Sequence, residues 1–259
     1  MQIPGRIIFR DKTGFSEIIV ADDGNKRSLY LDGDTLQSCM YRNQPHILAM
    51  EYSHAMMCAL LFNGNPSKTL LVGLGGASLI KFLLHVYPAI DIDVAEINPA
   101  IISVARDFFC FEKNAGQVVV FPEAGEALVK KRLQEGYAYD LVLIDAFDDS
   151  GPARALLSRE FLDDCRSLLD DDGIFAMNLW NRPQDGFYDI YGVIAECFRG
   201  RTLKLLLAES YDNAIAFGFK APVRARELLK LKGKARGLGN RTGINFSRYL
   251  RALYWQNFS

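Results

Sequence analysis

The sequence predicts an α/β fold in which a doubly wound, mostly parallel seven-stranded sheet follows a small N-terminal antiparallel β-domain. From Thr69 onward, short β-rich runs alternate with segments whose apolar residues have helical spacing, as in βαβ units. Before residue 45, three short alternating runs are separated by turn-forming residues, which is typical of hairpins. The predicted domains are the β-domain, 1–45, the main domain, 46–222, and a basic C-terminal tail, 223–259.

The first unit of the main sheet is a strand, a glycine turn, a helix and a second strand. These are, in order, Thr69–Val72, the turn with Gly73, Gly75 and Gly76, the helix 77–86 and the strand 91–97. Glycines let a ligand approach the peptide groups, and the helix start behind them offers free N–H groups. Glu96, about 20 residues after the turn, can accept both hydroxyl groups of a ribose. The unit therefore predicts a nucleoside-containing ligand; the alternative is a tight turn and a solvated glutamate.

The rest of the main domain continues the alternation of helices and strands. The predicted helices are 46–62, 99–109, 127–133, 158–169 and 187–198, and the further strands are 117–121, 139–147, 173–180, 202–210 and 214–220. Only a short turn separates the last two strands, so one of them is expected to be antiparallel.

The composition is that of a soluble globular protein, with 49% hydrophobic and 24% charged residues. No stretch approaches the apolar length of a membrane span, and the N-terminus lacks a signal-peptide core, so a cytoplasmic location without a membrane partner is expected. The five cysteines are scattered and the three histidines lack metal-ligand spacing, so neither a disulfide framework nor a metal site is expected.

The charges are distributed unevenly along the chain. Ten Lys and Arg residues and one acidic residue lie between Lys220 and the C-terminus, whereas residues 1–219 contain 20 basic and 30 acidic residues. An acidic body suits a cationic substrate. The basic tail predicts a mobile segment ending in a helix that docks on the body or on a second subunit. Nucleic-acid binding is the less favoured alternative, because no binding motif accompanies the charge.

Acidic side chains follow several of the predicted strands. Glu96, Glu126, Asp145 and Asp148 come from separate stretches, yet ligands in such sheets bind beyond the carboxyl ends of the strands, where these residues are expected to meet. A carboxylate can position a protonated amine and accept its proton as a general base. The alternative is that Asp145 simply ends a strand and Asp148 caps the following turn.

The order of the motifs GLGG, AEIN, GEA and YDLVLIDAFDDSGPA resembles the spermidine synthase family, the polyamine aminopropyltransferases. The resemblance runs from about Leu29 to Phe219 and includes LDG at 31–33, Gln37 and the SHAM segment at 53–56, which is similar to the family's YHEM. It implies a Rossmann-like catalytic domain of the class I methyltransferase type. It also implies transfer of an aminopropyl group from decarboxylated S-adenosylmethionine to a small amine or polyamine, and a homodimer is expected.

Carried over by position, the resemblance implies a role for each motif residue. The implied cofactor-binding residues are Gln37, Gly73, Gly75, Gly76, Glu96, Glu126 and Asp145. Asp145 and Asp148 are the candidate catalytic residues, with Asp145 as the base that orients and deprotonates the amine. The candidate substrate-binding residues are His54, Asp148 and Tyr211. Because His54 lies on the apolar stripe of its predicted helix, a partly buried core histidine is the alternative.

Several positions depart from the family pattern, including residues 178–181, where the family's glutamine and glutamate that hold a polyamine are missing. Gly76 replaces an aspartate that contacts the cofactor's amine, and Ser53 and Ala55 stand for a tyrosine and a glutamate. Loss of the aspartate removes one means of rejecting the carboxylate of intact S-adenosylmethionine. The alternatives are therefore an S-adenosylmethionine-dependent methyltransferase and a non-catalytic relative that binds a nucleoside or a polyamine. A nicotinamide oxidoreductase is least favoured, because the turn lacks a third glycine.

Overall fold

The N-terminal sheet consists of four antiparallel strands paired in chain order. The computed structural model describes residues 3–111, 117–148, 151–181, 186–207 and 213–259. The four strands are β1 (Arg6–Lys12), β2 (Glu17–Asp23), β3 (Lys26–Leu31) and β4 (Thr35–Tyr41). Asp32 and Gly33, both at positive φ, make the tight turn into β4. The predicted hairpin domain is confirmed, and its fourth strand is an addition to the prediction.

The main sheet has seven strands in the order β12-β13-β11-β8-β5-β6-β7. The strands that follow the N-terminal sheet are β5 (Lys68–Val72), β6 (Asp91–Ala95), β7 (Val118–Phe121), β8 (Tyr139–Ile144), the two-residue pair β9 (Phe147–Asp148) and β10 (Gly151–Pro152), then β11 (Leu169–Trp180), β12 (Thr202–Leu206) and β13 (Asn213–Phe219). Strand β13 is antiparallel to both of its neighbours, and the other pairings are parallel. The predicted doubly wound, mostly parallel sheet is therefore confirmed.

Helices cover both faces of this sheet. They are α1 (Glu51–Met56), α2 (Ala59–Phe62), α3 (Ser78–Val86), α4 (Pro99–Phe108), α5 (Gly125–Gln134), α6 (Arg159–Leu168), α7 (Phe187–Cys197), α8 (Ala225–Lys230), α9 (Lys232–Thr242) and α10 (Phe246–Phe258). Leu70 and Val72 pack in the cluster of α5, α6 and α7, whereas Leu71 packs in the opposite cluster. Burial on both faces explains why the strand sequences are continuously apolar. In the described part of the chain, no helix has the length and apolar character that a membrane crossing requires.

The helix predicted over 46–62 is wrong in its first third. Leu48 forms an isolated antiparallel bridge with Met40 of β4, and this pairing keeps the chain extended up to Met50. The helical segment begins at Glu51 and divides into α1 and α2. A contact with a distant strand therefore overrides the local helical spacing.

The part of the tail that precedes the terminal helix is itself helical, which the sequence did not predict. Residues 225–242 form α8 and α9, although α9 contains three glycines that lower its intrinsic helix propensity. Ala235 and Leu238 of α9 are buried, so tertiary packing stabilises a helix that the local sequence disfavours.

The C-terminal helix α10 covers the free edge of strand β12 with two side-chain amides. Asn257 accepts from the Lys204 N–H at 2.9 Å and donates to the Lys204 carbonyl at 2.8 Å. Gln256 makes the same pair of bonds with Leu206, at 2.7 and 3.1 Å. These amides imitate a neighbouring strand, so this part of the sheet edge presents no unpaired backbone groups to other chains.

Replacing Asn257 tests this edge cover. Asn257→Leu leaves the N–H and carbonyl of Lys204 without their partners, and we expect the free energy of unfolding to fall by about 1–3 kcal/mol. Urea denaturation measures the change. Arg251→Ala, at an exposed position on the same helix, is the control and is expected to change stability by less than about 0.5 kcal/mol. Equal effects of the two substitutions would contradict the proposed role of the amide.

Candidate active site

The glycine turn after β5 brings the end of β8 against the end of β5. Gly73 has a φ of +95°, and a Cβ atom built on it would lie 2.1 Å from the carbonyl oxygen of Asp145. The Gly73 N–H donates to Ala95 at the end of β6. Only glycine combines this backbone conformation with this close approach. The carboxyl ends of three strands therefore converge on one turn.

Glu96 is fixed to this turn from the end of β6. Its two carboxylate oxygens accept from the backbone N–H of Leu74 at 3.0 Å and of Asn98 at 2.8 Å. Burial raises the pKa of Glu96, and these two hydrogen bonds oppose the rise. The carboxylate therefore has a defined orientation beside the glycine turn and retains lone pairs for a ligand.

Asp145 follows β8 directly and is held by two side chains. Asn178 of β11 donates from Nδ2 to Oδ1 at 3.0 Å, and the hydroxyl of Tyr52 on α1 makes the second hydrogen bond. Burial raises the pKa of Asp145 to about 6, whereas both hydrogen bonds act to lower it. The pKa of Tyr52 is raised, first by burial and then by the charge of Asp145. At neutral pH, this carboxylate is ionised but remains close to its titration range.

Strand β4 crosses the other side of the turn. The backbone carbonyl of Gln37 accepts from Tyr52 at 3.4 Å, which places β4 beside the residue that binds Asp145. The hydroxyl groups of Ser38 and Ser78 lie 3.3 Å apart. The N-terminal sheet therefore contributes one wall to the site, as the prediction for Gln37 requires.

The packing around Gly76 leaves no room for a Cβ atom at this position. A Cβ atom there would lie 2.7 Å from Ser38 Oγ and 2.9 Å from Phe109 Cδ1. Lys81 donates from Nζ to the carbonyl oxygens of Gly76 at 2.9 Å and Phe109 at 2.6 Å, and burial lowers its pKa to about 8. The glycine at residue 76 is thus accompanied by close packing of Ser38 and Phe109 and by the partly buried amino group of Lys81.

The remaining predicted site residues are Glu126, His54, Asp148 and Tyr211. Glu126 is in the first turn of α5, whose Gly125 packs against Val72 at the end of β5. His54 Nε2 lies 2.9 Å from the carbonyl oxygen of Leu48, a contact that favours the core-histidine alternative. Only the backbone of Asp148 is described, in the hairpin of β9 and β10. Tyr211 lies outside the described residues.

The sequence reasoning assigned neither of the two side chains that hold Asp145 to this role. Tyr52 immediately precedes the SHAM segment, and the structure places this tyrosine, rather than Ser53, at the carboxylate. Ser53 is buried and donates to Met50 instead. The sequence marks Asn178 as unusual, because it is a polar residue in the apolar run GIFAMNLW. Its partner was not predictable without the alignment of β8 and β11.

The raised pKa of Asp145 predicts a pH-dependent cost in stability. Ionised Asp145 destabilises the folded state, because its folded pKa of about 6 exceeds the ordinary value of 3.8. The folded state is therefore more stable when Asp145 is protonated at low pH. This contribution to stability is lost as the pH rises through about 6. We expect Asp145→Asn to raise the free energy of unfolding by up to about 3 kcal/mol at pH 8 and to change it little at pH 4.

Urea titrations at the two pH values measure this difference. Asp170→Asn, at an exposed position on β11, is the matched control. A stabilisation by Asp145→Asn that is equal at pH 4 and pH 8 would show that the ionised carboxylate carries no such cost.

The fold and the arrangement of the site together define a class of protein. It is a Rossmann-like α/β protein of the class I methyltransferase type, with a small antiparallel β-domain in front and carboxylates grouped at the strand ends around a glycine turn. Among the side chains that the structure describes, no group of three His, Cys, Asp or Glu residues is placed to hold a metal ion.

Comparisons with known proteins identify the family within this class. A family model described as the spermine/spermidine synthase domain matches residues 50–183. A polyamine aminopropyltransferase of Neisseria meningitidis serogroup A is 32% identical over 255 residues, which cover 98% of this chain and 95% of the relative. The chain therefore belongs to the spermine/spermidine synthase family.

Solved structures share the fold. The crystal structure of spermidine synthase from Thermotoga maritima superposes with a TM-score of 0.72 at 18% identity and covers 96% of this chain and 84% of that chain. The structure of human methyltransferase-like protein 13 in complex with SAH superposes with a TM-score of 0.62 at 25% identity, over 78% of this chain and 93% of that chain.

Proposed function

We propose that this protein transfers an aminopropyl group from decarboxylated S-adenosylmethionine to an amine acceptor. The observation that carries the proposal is the partly buried Asp145 carboxylate, held by Tyr52 and Asn178 at the glycine turn. Membership in the family and the similarity to polyamine aminopropyltransferases support the same reaction.

The nucleoside half of the co-substrate fits the turn. Gly73 and Gly75, both at positive φ, carry no side chains that would screen the turn from a ligand, and the oriented Glu96 can accept from the ribose hydroxyls. Glu126, at the start of α5, and Gln37, on β4, are proposed to complete the binding of the nucleoside. These residues bind and orient the donor.

Asp145 is proposed to act on the acceptor amine. The amine must lose a proton before it attacks, and a carboxylate with a pKa of about 6 is ionised at neutral pH and can accept that proton. The amine nitrogen then forms a bond to the aminopropyl carbon while the bond from that carbon to sulfur breaks. Methylthioadenosine leaves with the electron pair of that bond. Because this is an in-line displacement, holding the two reactants in contact supplies much of the rate.

Purified protein is expected to convert decarboxylated S-adenosylmethionine and a diamine, such as putrescine, to methylthioadenosine and the longer polyamine. Asp145→Asn should lower kcat about 10²–10⁴-fold, because it removes the base. Liquid chromatography of methylthioadenosine measures the rate, and Asp170→Asn is the matched control. Tight binding of the donor without turnover, across a panel of diamines and polyamines, would contradict the proposal and favour a non-catalytic relative.

One observation favours a second candidate function, methyl transfer from intact S-adenosylmethionine. Gly76 removes a carboxylate that would repel the carboxylate of the intact cofactor, and the Lys81 ammonium lies against the same peptide. The structural similarity to a methyltransferase-like protein is consistent with this alternative.

Calorimetry with the two cofactors separates the candidates. Under the proposed aminopropyl transfer, decarboxylated S-adenosylmethionine is expected to bind at least tenfold more tightly than S-adenosylmethionine, since the site is then built for the shorter, more cationic donor. Lys81→Met should reduce the affinity for the intact cofactor only if its carboxylate meets this amino group. A preference for S-adenosylmethionine that Lys81→Met abolishes would overturn the proposal in favour of methyl transfer.

A further inference from the structure

We propose that Asn213 and Asn178 form a directional hydrogen-bond relay that orients Asp145, and that Asn213 is a positioning residue for the reaction. The inference rests on the proposed function, because it assigns the relay to the base of that reaction. Neither asparagine belongs to the site predicted from the sequence.

The relay consists of two hydrogen bonds in series. Asn213 donates from Nδ2 to Asn178 Oδ1 at 3.0 Å, and Asn178 donates from Nδ2 to Asp145 Oδ1 at 3.0 Å. Asn178 is 3% exposed, so little water is available to replace either partner. Asn213, at the start of β13, is thereby linked to the carboxylate through Asn178.

The pairing of β11 with β13 places the two asparagines on one face of the sheet. Asn178 lies opposite Ile215, and Asn213 is two residues before Ile215 on the antiparallel strand. Residues two apart on a strand point to the same face, so Asn213 is a diagonal neighbour of Asn178. The relay is therefore built on regular strands and not on a mobile loop.

The chemistry of the three groups fixes the direction of the relay. An ionised carboxylate can only accept hydrogen bonds, so Asn178 must turn its amino group toward Asp145. Its carbonyl oxygen then faces Asn213, which must turn its own amino group toward Asn178. If Asn213 could not donate, the Asn178 carbonyl oxygen would lose its partner, and only the carboxylate would oppose a rotation of the Asn178 amide that places an oxygen against it.

The other described side chain at Asp145 does not replace this function. Tyr52, from α1, is the titratable group that contacts the carboxylate among the described side chains, and its hydroxyl also lies near the Gln37 carbonyl. One hydroxyl proton serves only one acceptor at a time. The Asn178 donor is therefore needed continuously to hold Asp145 in its charged form and in one orientation.

A set of variants at residues 178 and 213 tests the relay. Asn213→Leu keeps the approximate volume and removes the donor, whereas Asn213→Gln keeps a carboxamide. We expect Asn213→Leu to raise the pKa of Asp145 by about one, and Asn178→Leu to raise it by about one to two, since each loses support for the charged form. Asn213→Gln should retain at least part of the wild-type behaviour.

Two readouts measure these changes. The pH profile of kcat/KM is expected to show a loss of about threefold at pH 6.5 for Asn213→Leu and almost none at pH 8.5, since a pKa that rises by one unit moves the titration into this range. Titration of the Asp145 carboxyl carbon by NMR reports its pKa without any turnover. If the wild type does not transfer aminopropyl groups but the NMR shift occurs, the proposed function fails and the relay stands.

The double variant gives the decisive result. If Asn213 acts only through Asn178, Asn213→Leu changes the pKa of Asp145 in the wild-type background and not in the Asn178→Leu background. An unchanged pKa in Asn213→Leu, or the same rise in both backgrounds, would overturn the relay. Should Asn178→Leu fail to fold, the comparison of Asn213→Leu with Asn213→Gln still decides, because equal pKa values in these two variants would exclude a donor role for Asn213.

Discussion

The site depends on the close contact between Gly73 and the main chain of Asp145. With a Cβ atom at Gly73 only 2.1 Å from the Asp145 carbonyl oxygen, the ends of β5 and β8 could not approach as they do. The same turn places the Leu74 N–H against Glu96 at the end of β6. A single left-handed glycine thus brings together two carboxylates that are 49 residues apart in the sequence.

This arrangement places carboxylates where burial disfavours their charge. Burial raises the pKa of both Glu96 and Asp145, and the protein opposes the rise with directed donors in each case. Two backbone N–H groups serve Glu96, whereas side chains from α1 and β11 serve Asp145. Backbone donors hold a fixed binding contact, and side-chain donors leave a pKa close to neutrality, which suits a group that exchanges protons.

The strands and helices of the sheet could be predicted because each one has its own pattern of apolar residues in the local sequence. Strands buried on both faces are continuous apolar runs, and the helices between them have their own spacing. The succession of elements along the chain and the antiparallel hairpin at its end could therefore be predicted from the sequence. The errors arose where distant contacts decide the outcome. Leu48 pairs with Met40 and shortens the helix predicted over 46–62, and burial of Leu238 holds α9 in a helix despite its glycines. The Asn178 contact needs the register of two parallel strands, which the sequence does not contain.

The site differs between residue 76 and Asp145 in whether the carboxylate of the family pattern is present. At residue 76, the position that the family gives to an acid is closed by Ser38 and Phe109 and is followed by the partly buried Lys81 ammonium. At Asp145, the carboxylate remains and has an oriented partner. A carboxylate that serves no reaction would only destabilise the fold here, because burial disfavours its charge even with two donors. The retained cost at Asp145 therefore argues for a proton-accepting role, while the change at residue 76 bears on the proposed choice of donor molecule.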